Sequence, residues 1–330
     1  MTSSRPIHPI RGTIVAIFIT SLITLTYLLL RTAHPPLADF TPNPLTIPLA
    51  PDIPPKIWYK LPPSGLSPNT HRWTSTCLDQ NPHYRHEFLT DASADAFVSH
   101  TFASRPDLVT TYLSLNIPIL KADLLRYLLL YAEGGIWNDL DVSCEGVPMD
   151  LWVPRAYRDV AGLVVGWEFE VGWEGEEDDF ERQFASWVIM ARPGLGQVWM
   201  VVEDILDGIA EVCGRNNVSV GGLGVGMVED VVDFTGPTRF TRSVMRSLGE
   251  TMGVEVDWMG LTRLWKPRLV GDVLIFPGYA FAKDANEYSE EEEKRLGQIL
   301  VTHHYAGSWK NQLGSIEGAL VEGYGQEQTG

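Results

Sequence analysis

Two carboxylates, Asp139 and Asp141, lie one residue apart in a stretch that has no basic residue beside them. Two hard oxygen ligands at this spacing suit Mg²⁺ or Mn²⁺ held jointly with a diphosphate. Such ions give up their water reluctantly, and their remaining ligands come from water and from the phosphates of a substrate. The pair therefore indicates chemistry on an anionic phosphate ester. The alternative is a solvated turn after a buried strand, since a short acidic motif alone matches often by chance.

The elements that precede the pair favour the cation site. Residues 121–131 carry apolar side chains at helical spacing and predict a helix that places Asp123 and Arg126 on one face. Gly134-Gly135 supplies the left-handed exit residue that such a helix prefers. Residues 136–141 then read as a strand that ends in the acidic pair, whose two side chains would point to the same side of a sheet.

Short apolar runs recur through the rest of the chain, and segments of helical period separate some of them. This alternation favours an α/β sheet with helices on its faces. Residues 71–102 look rich in helix, and residues 195–212 carry a helical period. No internal repeat or boundary divides residues 51–330, which we treat as one domain. The predicted strands lie at residues 56–59, 162–166, 186–190, 272–276 and 300–303.

The N-terminal residues predict a membrane anchor. Residues 14–30 contain no charge, which is near the lower length limit for a membrane-spanning helix, and Arg5 and Arg11 precede them. We expect a signal anchor with a cytosolic tail at residues 1–13. A cleavable signal peptide is the alternative, although no clear cleavage site follows. Residues 31–50 are proline-rich and predict an extended stem, so the domain beyond it would face the lumen.

Charge, cysteines and one tripeptide narrow the setting further. The formal net charge of −17 argues against binding a nucleic-acid backbone and means that an anionic substrate would require a recruited cation. Cys77, Cys144 and Cys213 permit one disulfide with a thiol left over, or three free thiols. The tripeptide 217–219 is an acceptor sequon for N-glycosylation and agrees with a lumenal location.

Several motifs, far apart in the chain, follow one another in the order of a known family. The motifs are Pro55-Lys56-Ile57-Trp58, Asn81-Pro82-His83-Tyr84, Ala122-Asp123-Leu124-Leu125-Arg126-Tyr127, Gly134-Gly135-Ile136-Trp137-Asn138-Asp139-Leu140-Asp141, Thr235-Gly236-Pro237 and His304-Tyr305-Ala306-Gly307-Ser308-Trp309-Lys310. Over roughly residues 53–312 the chain resembles the DXD-containing glycosyltransferases typified by the fungal Golgi initiation-type α-1,6-mannosyltransferases. Wide spacing and conserved order make this resemblance more specific than the acidic pair alone.

The resemblance implies a GT-A fold, a retaining transfer from a nucleotide sugar and a type II topology in the Golgi membrane. It implies that Asp141 binds the metal directly, and that Asp139 reaches the metal through water or touches the donor ribose and sugar. His304 would complete the metal shell from the C-terminal strand. His303 is the weaker candidate, because adjacent positions in a strand face opposite ways.

The resemblance also implies which side chains bind the donor. Asp123 and Arg126 would contact the donor sugar. Ser308, Trp309 and Lys310 would close over the diphosphate, where a lysine, an indole N–H and a divalent cation stabilise the charge that develops on the leaving group.

One departure from the family concerns the nucleotide base. The first strand commonly ends in His-Gln in this family, whereas here it ends in Tyr59-Lys60. Stacking of the base on Trp58 or Tyr59 is one hypothesis, and packing of both rings in the core is the other.

The predicted function is metal-dependent transfer of a hexose to a glycan, with Asp139 and Asp141 as catalytic residues and Mn²⁺ or Mg²⁺ as the cofactor. GDP-mannose is the expected donor, and the acceptor is an N-linked outer chain, an inositol sphingolipid or another glycan. No residue presents itself as a covalent nucleophile, so we expect a front-face displacement in which the leaving phosphate accepts the proton.

Two other classes fit parts of the sequence. In an aspartyl-phosphate phosphatase Asp139 would be the nucleophile and Asp141 the general acid, but that chemistry calls for a longer apolar strand before the first aspartate. An inactive glycan-binding subunit would keep the fold without turnover. The presence of both aspartates argues against an inactive subunit.

Overall fold

A mixed β-sheet with helices packed on its faces forms the frame of the protein, as the alternation of segments predicts. The computed structural model describes residues 53–170, 182–257 and 259–306. The predicted anchor at residues 14–30 and the stem at residues 31–50 lie outside these ranges. None of the helices in these ranges has the length and hydropathy that a membrane span requires.

The strands of the described residues are β1 Lys56–Lys60, β2 Arg85–Leu89, β3 Gly135–Asn138, β4 Val142–Cys144, β5 Leu163–Phe169, β6 Gln183–Phe184, β7 Val188–Ala191, β8 Arg268–Val270, β9 Val273–Phe276 and β10 Val301–His303. The α-helices of the same residues are α1 Pro68–Gln80, α2 Asp91–Thr101, α3 Pro106–Ser114, α4 Pro118–Glu133, α5 Gly196–Asn216, α6 Val231–Phe234, α7 Pro237–Met252, α8 Gly278–Phe281 and α9 Glu290–Glu293. Short 3₁₀ turns connect several of them.

The order of the strands brings distant parts of the chain to one edge of the sheet. The order is β2-β1-β3-β7-β5-β9-β8, with β6 paired to β5, while β4 and β10 form a separate two-stranded ladder. Strand β7 is antiparallel to both of its neighbours, β3 and β5. Consequently β3 and β5 run in the same direction and end at the same edge, where β7 begins. Ligands of open α/β sheets commonly bind at such an edge.

Side chains alternate between the two faces of the sheet, as the pleat requires. Trp58 and Trp137 belong to the larger apolar cluster, which includes residues of α4, α5 and α7. Ile57 and Ile136 belong to the second cluster, together with Cys77 of α1. Both faces are therefore covered, which explains why the strands read as nearly continuous apolar runs.

Helix α4 and the two glycines after it set the path of the chain into β3. The helix begins at a proline, which suits the first helical position because its missing N–H needs no partner there. Gly134 has φ +65° and Gly135 has φ +98°. A Cβ atom would lie 2.7 Å from the Ala191 carbonyl oxygen at Gly134 and 2.6 Å from the Lys56 carbonyl oxygen at Gly135. The diglycine is therefore required by conformation and by close packing.

The predicted strands near residues 56, 162, 186, 272 and 300 are all present within a few residues of their predicted bounds. Strand β2 was not predicted, because it falls in the segment that looked rich in helix. It is an edge strand whose first three residues are exposed, so its sequence carries no apolar alternation.

A disulfide joins Cys77 in α1 to Cys144 in β4, and Cys213 is a buried free thiol. This resolves the pairing that the sequence left open. The bond ties helix α1 to the strand that directly follows the acidic pair.

Candidate active site at the acidic turn

The two aspartates lie in a turn, which we call the acidic turn (residues 139–141), and not in a strand. Strand β3 ends at Asn138 and β4 begins at Val142. The backbone N–H of Asp139 donates to the carbonyl oxygen of Trp187 at 2.8 Å. The prediction of a strand through residue 141 is therefore wrong. The physical reason is that β4 leaves the main sheet to pair with β10, so the chain changes direction between them.

Asp139 is held by donors from the preceding strand and helix. Its Oδ1 accepts a hydrogen bond from the indole N–H of Trp137 at 2.7 Å and lies 3.7 Å from Nη2 of Arg126. Burial raises the pKa of Asp139, the positive charge of Arg126 opposes that rise, and the charge of Asp141 adds to it. The acidic pair thus has no basic neighbour in sequence but a buried arginine in space.

Arg126 and Asp123 form a buried ion pair beneath the acidic turn. Nη2 of Arg126 donates to Oδ1 of Asp123 at 2.8 Å, and Nη1 donates to the Ser186 carbonyl oxygen at 2.6 Å. The hydroxyl of Thr235, in the motif Thr235-Gly236-Pro237, donates to Oδ2 of Asp123 at 2.8 Å. Burial raises the pKa of Asp123 to about 6, although Arg126 and Thr235 oppose the rise.

The shared helical face of Asp123 and Arg126 is confirmed, but their surroundings differ from the expectation. Their exposed fractions are 3% and 4%, and the polar contacts of both side chains lie within the protein. In this arrangement the side chains of Asp123 and Arg126 are not exposed for direct contact with a donor sugar. The pair instead supports Asp139 from below, because Arg126 is the cation nearest to its carboxylate among the described residues.

Asp141 is held by the chain around β10. Nε2 of His303 lies 3.3 Å from its Oδ1, and the backbone N–H of Ala306 donates to its Oδ2 at 3.0 Å. Burial by itself would raise the pKa of Asp141, but His303 and the backbone N–H of Ala306 outweigh it and hold the pKa below its usual value. The pKa of Asp141 is therefore lower than that of Asp139. The shifts of the two aspartates run in opposite directions, a pattern typical of functional pairs.

His303 and His304 have different neighbours around the acidic turn. Nε2 of His304 lies 2.9 Å from the hydroxyl of Ser143, and its ring stacks on Trp73 with the centroids 4.2 Å apart. His303, the weaker candidate, is the imidazole that meets Asp141. The role of His304 in a metal shell stays a prediction, and the structure adds His303 as an imidazole beside Asp141. Adjacent strand residues face opposite ways, and the pairing of β10 with β4 brings this part of the chain to the acidic turn.

The ring proposed to hold a nucleotide base is buried. Trp58 is 2% exposed, and its indole N–H donates to the Gly134 carbonyl oxygen at 2.8 Å. Tyr59 is fully buried and stacks on Phe88. Core packing is therefore the correct interpretation for both rings, and the assignment of Trp58 to the donor site is withdrawn. The residues predicted to close over the diphosphate, Ser308, Trp309 and Lys310, lie outside the described residues.

Three residues near the acidic turn were not predicted as site residues. Trp187 stacks on His303, with ring centroids 4.2 Å apart. Tyr305 packs edge-on against His303 at 4.1 Å and has φ +43°, a left-handed conformation that is uncommon for a tyrosine. The buried carboxyl of Glu168 accepts a hydrogen bond from Gln183 at 2.8 Å, and burial raises its pKa to about 7. Tyr305 belongs to the family motif at residues 304–310, but nothing in the sequence marked it as a contact of His303.

The donor set of the acidic turn fits a cation that is shared with a substrate. Among the described residues, no group of three or more His, Cys, Asp or Glu side chains is placed to hold a metal ion alone. The turn offers two carboxylates, and His303 lies beside one of them. Mg²⁺ commonly binds through one or two carboxylates and takes its remaining ligands from water and substrate phosphates. The side chains of Asp139 and Asp141 could supply the protein's part of such a shell.

Comparisons with known proteins find relatives among the glycosyltransferases. Residues 68–158, which contain α4 and the acidic turn, match the family described as glycosyltransferase sugar-binding region containing DXD motif. The chain is 32% identical over 270 residues to the initiation-specific alpha-1,6-mannosyltransferase of Schizosaccharomyces pombe, which covers 80% of this chain and 66% of that protein. It is 39% identical over 70 residues to inositol phosphoceramide mannosyltransferase 3 of the same organism, 21% of this chain and 19% of that one.

The match of residues 68–158 to this family and the 32% identity to a mannosyltransferase confirm the resemblance drawn from the motifs. The chain spans about 66% of the length of its initiation-specific relative. The solved structure of the PaToxG glycosyltransferase is 14% identical and covers 75% of this chain and 85% of that one, at a TM-score of 0.41. A likeness of that size carries no argument about fold or activity.

Proposed function

We propose that this protein is a metal-dependent, retaining mannosyltransferase of the GT-A type that transfers mannose from GDP-mannose to a hydroxyl group of a glycan. The observation that carries the proposal is the acidic turn itself. Asp139 and Asp141 lie there between β3 and β4, Arg126 supports the first, and His303 and the Ala306 N–H hold the second.

The side chains of the turn have distinct tasks in this proposal. Asp141, whose pKa is held low, supplies a lasting negative charge to a divalent cation. Asp139, fixed by Trp137 and Arg126, presents the second carboxylate to the cation or to the donor. When bound, Mn²⁺ or Mg²⁺ would stabilise the charge that develops on the leaving diphosphate. Ser308, Trp309 and Lys310 remain our candidates for contacts with that diphosphate.

Transfer with retention is proposed to occur on the front face of the sugar, with the leaving phosphate taking the proton of the acceptor hydroxyl. This route has no covalent intermediate, so it requires neither aspartate of the turn as a nucleophile. Isolation of a glycosyl adduct on any carboxylate of the enzyme would refute this step.

The acceptor we favour is the outer chain of an N-linked glycan, in α-1,6 linkage. The α-1,6 linkage is supported by a relative named for it, which aligns with 80% of this chain. The inositol phosphoceramide relative aligns with only 21%, so an inositol sphingolipid is the second candidate. Offering both acceptors to the enzyme with labelled donor distinguishes them, because only one of the two should gain the label.

The first prediction concerns the donor and the cation. The full-length protein, purified in detergent, is incubated with a panel of nucleotide sugars, and nucleotide release is measured with Mn²⁺ and with a chelator. We expect release of GDP from GDP-mannose in the presence of Mn²⁺ and its loss on chelation. Preference for a UDP-sugar would remove the mannosyl assignment and leave the transferase class intact. Turnover that is unchanged by the chelator would remove the cation.

We further propose that the protein is a type II, single-pass protein of the Golgi membrane with its catalytic domain in the lumen. The uncharged segment at residues 14–30 supports this location. The Cys77–Cys144 disulfide also supports it, because such bonds persist in oxidising compartments. Asn217, the acceptor of the sequon, is exposed at the end of α5.

Asn217 allows the location to be tested by a second prediction. Chain produced in fungal cells is expected to carry one glycan that an N-glycosidase removes, seen as a shift in electrophoretic mobility. Asn217→Gln is expected to migrate like the deglycosylated chain, because the sequence holds no other such sequon. An unmodified wild-type chain would argue against a lumenal domain.

A further inference from the structure

Trp187 lies outside the acidic turn but is connected to both of its aspartates. Its backbone carbonyl oxygen accepts the N–H of Asp139 at 2.8 Å. Its indole stacks on the ring of His303, with the centroids 4.2 Å apart and the planes inclined by 14°. His303 in turn places Nε2 3.3 Å from Oδ1 of Asp141. Trp187 therefore touches the acidic turn through its backbone on one side and through a stacked imidazole on the other.

The imidazole of His303 is confined by aromatic rings. Trp187 covers its face, and Tyr305 packs against it edge-on at 4.1 Å. The edge of Tyr305 also meets Trp187, with the centroids 5.7 Å apart. Aromatic rings at such separations prefer these stacked and edge-to-face arrangements, which restricts the rotation of the imidazole between them.

The polar atom of Trp187 does not explain its burial. The side chain is 4% exposed, and Nε1 has no hydrogen-bond partner among the described residues. A buried N–H without a partner costs free energy. The buried indole is therefore stabilised by packing of its ring face and not by a hydrogen bond. That face is the one that contacts His303.

We propose that Trp187 is a positioning residue for the cation site: its indole holds the His303 ring in the orientation that keeps the Asp141 carboxylate aligned. This inference rests on the proposed function, because it assumes that Asp141 is a ligand of the cation. Side chains that orient metal ligands from behind typically change metal affinity by 10–100-fold when they are replaced. Trp187 does not need to touch the substrate to have this effect.

The test measures Mn²⁺ binding directly, by electron paramagnetic resonance of the full-length protein with and without GDP. Trp187→Leu removes the aromatic face but keeps the backbone contact with Asp139. We expect it to weaken Mn²⁺ binding about tenfold. Trp187→Phe keeps an aromatic face and is expected to bind Mn²⁺ almost as tightly as the wild type. Both variants remove the indole N–H, so the difference between them isolates the stacked ring.

Trp199 provides a matched control. It is a packed tryptophan of α5 that contacts Tyr131 and Phe102 and lies outside the acidic turn. Trp199→Leu should lower the melting temperature and leave Mn²⁺ affinity unchanged. Should Trp187→Leu fail to fold, as judged by circular dichroism, Trp187→Met takes its place with the same expectation.

A double-mutant cycle tests whether Trp187 acts through His303. His303→Ala should itself weaken Mn²⁺ binding, and adding Trp187→Leu should then have no further effect, because residues in one chain of contacts are not additive. Additive effects, or a Trp187→Leu variant that loses only thermal stability, would overturn the inference. Absence of Mn²⁺ binding in the wild-type protein is a different result, since it would remove the proposed cation site itself.

Discussion

Replacing both aspartates of the acidic turn with asparagine is expected to lower nucleotide-sugar turnover by ~10³-fold or more, which corresponds to about 4 kcal/mol of lost transition-state stabilisation. The amides keep the shape of the side chains and can still accept the hydrogen bonds of Trp137 and Ala306. What they remove is the negative charge that a divalent cation needs. Release of GDP from GDP-mannose at saturating Mn²⁺ measures the effect.

The single variants separate the two carboxylates. We expect Asp141→Asn to weaken Mn²⁺ affinity more than Asp139→Asn, because Asp141 has the lowered pKa and Asp139 is already partly compensated by Arg126. Asp79→Asn, at an exposed position of α1, is a control for the removal of one charge and should leave turnover unchanged. A double variant that works at the speed of the wild type would end the proposal that this turn binds a cation.

Arg126→Met is expected to be the most destabilising single change near the site, by about 3–5 kcal/mol. Arg126 is 4% exposed and lies between Asp123 and Asp139, so its loss leaves two carboxylates without their cation in a buried place. The carbonyl oxygen of Ser186 loses its donor as well. Urea unfolding followed by circular dichroism measures the change in the free energy of unfolding.

The destabilisation should depend on pH with a defined sign. The pKa of Asp123 is raised from 3.8 to about 6 in the folded protein, so the stability gained from its neutral form is present below pH 4 and is lost as the pH rises through 6. Arg126 lowers the pKa of both aspartates, and without it their folded values rise further. The difference between variant and wild type should therefore be larger at pH 8 than at pH 5.

Two further variants sharpen this prediction. Arg215→Met, at an exposed position near the end of α5, should change stability by less than about 0.5 kcal/mol. Adding Asp123→Asn to Arg126→Met should recover part of the lost stability, because one of the unpaired charges is then gone. If Arg126→Met behaved like the exposed control at both pH values, the buried network would not support the turn as described.

The local features of the site follow from the sequence. The helical spacing of residues 121–131 predicts α4, and it puts Asp123 and Arg126 on one face, where they form an ion pair. The diglycine predicts the left-handed exit, and both glycines have positive φ. These predictions succeed because the interactions involved span at most four residues, so periodicity and backbone freedom determine them.

Other predictions failed where a choice depended on burial. Trp58 carries an aromatic ring suited to a base, but its strand lies inside the sheet and the ring faces the larger core cluster. Strand β2 escaped notice because an exposed edge strand has no apolar alternation. The sequence of each segment fits more than one environment. The position of the strand in the sheet decides which environment it has.

The sequence by itself determined the class of this protein: a chain of ordered motifs around two aspartates, delivered by a helix, two glycines and a short strand. The tertiary structure alone decided which distant side chains meet those aspartates. The pairing of β10 with β4 brings His303 to Asp141, the antiparallel β7 brings Trp187 to Asp139, and the packing of α1 on β4 joins Cys77 to Cys144. Spacing along the chain fixes the face on which a residue lies, but contacts between strands far apart in sequence depend on register, which no local pattern contains.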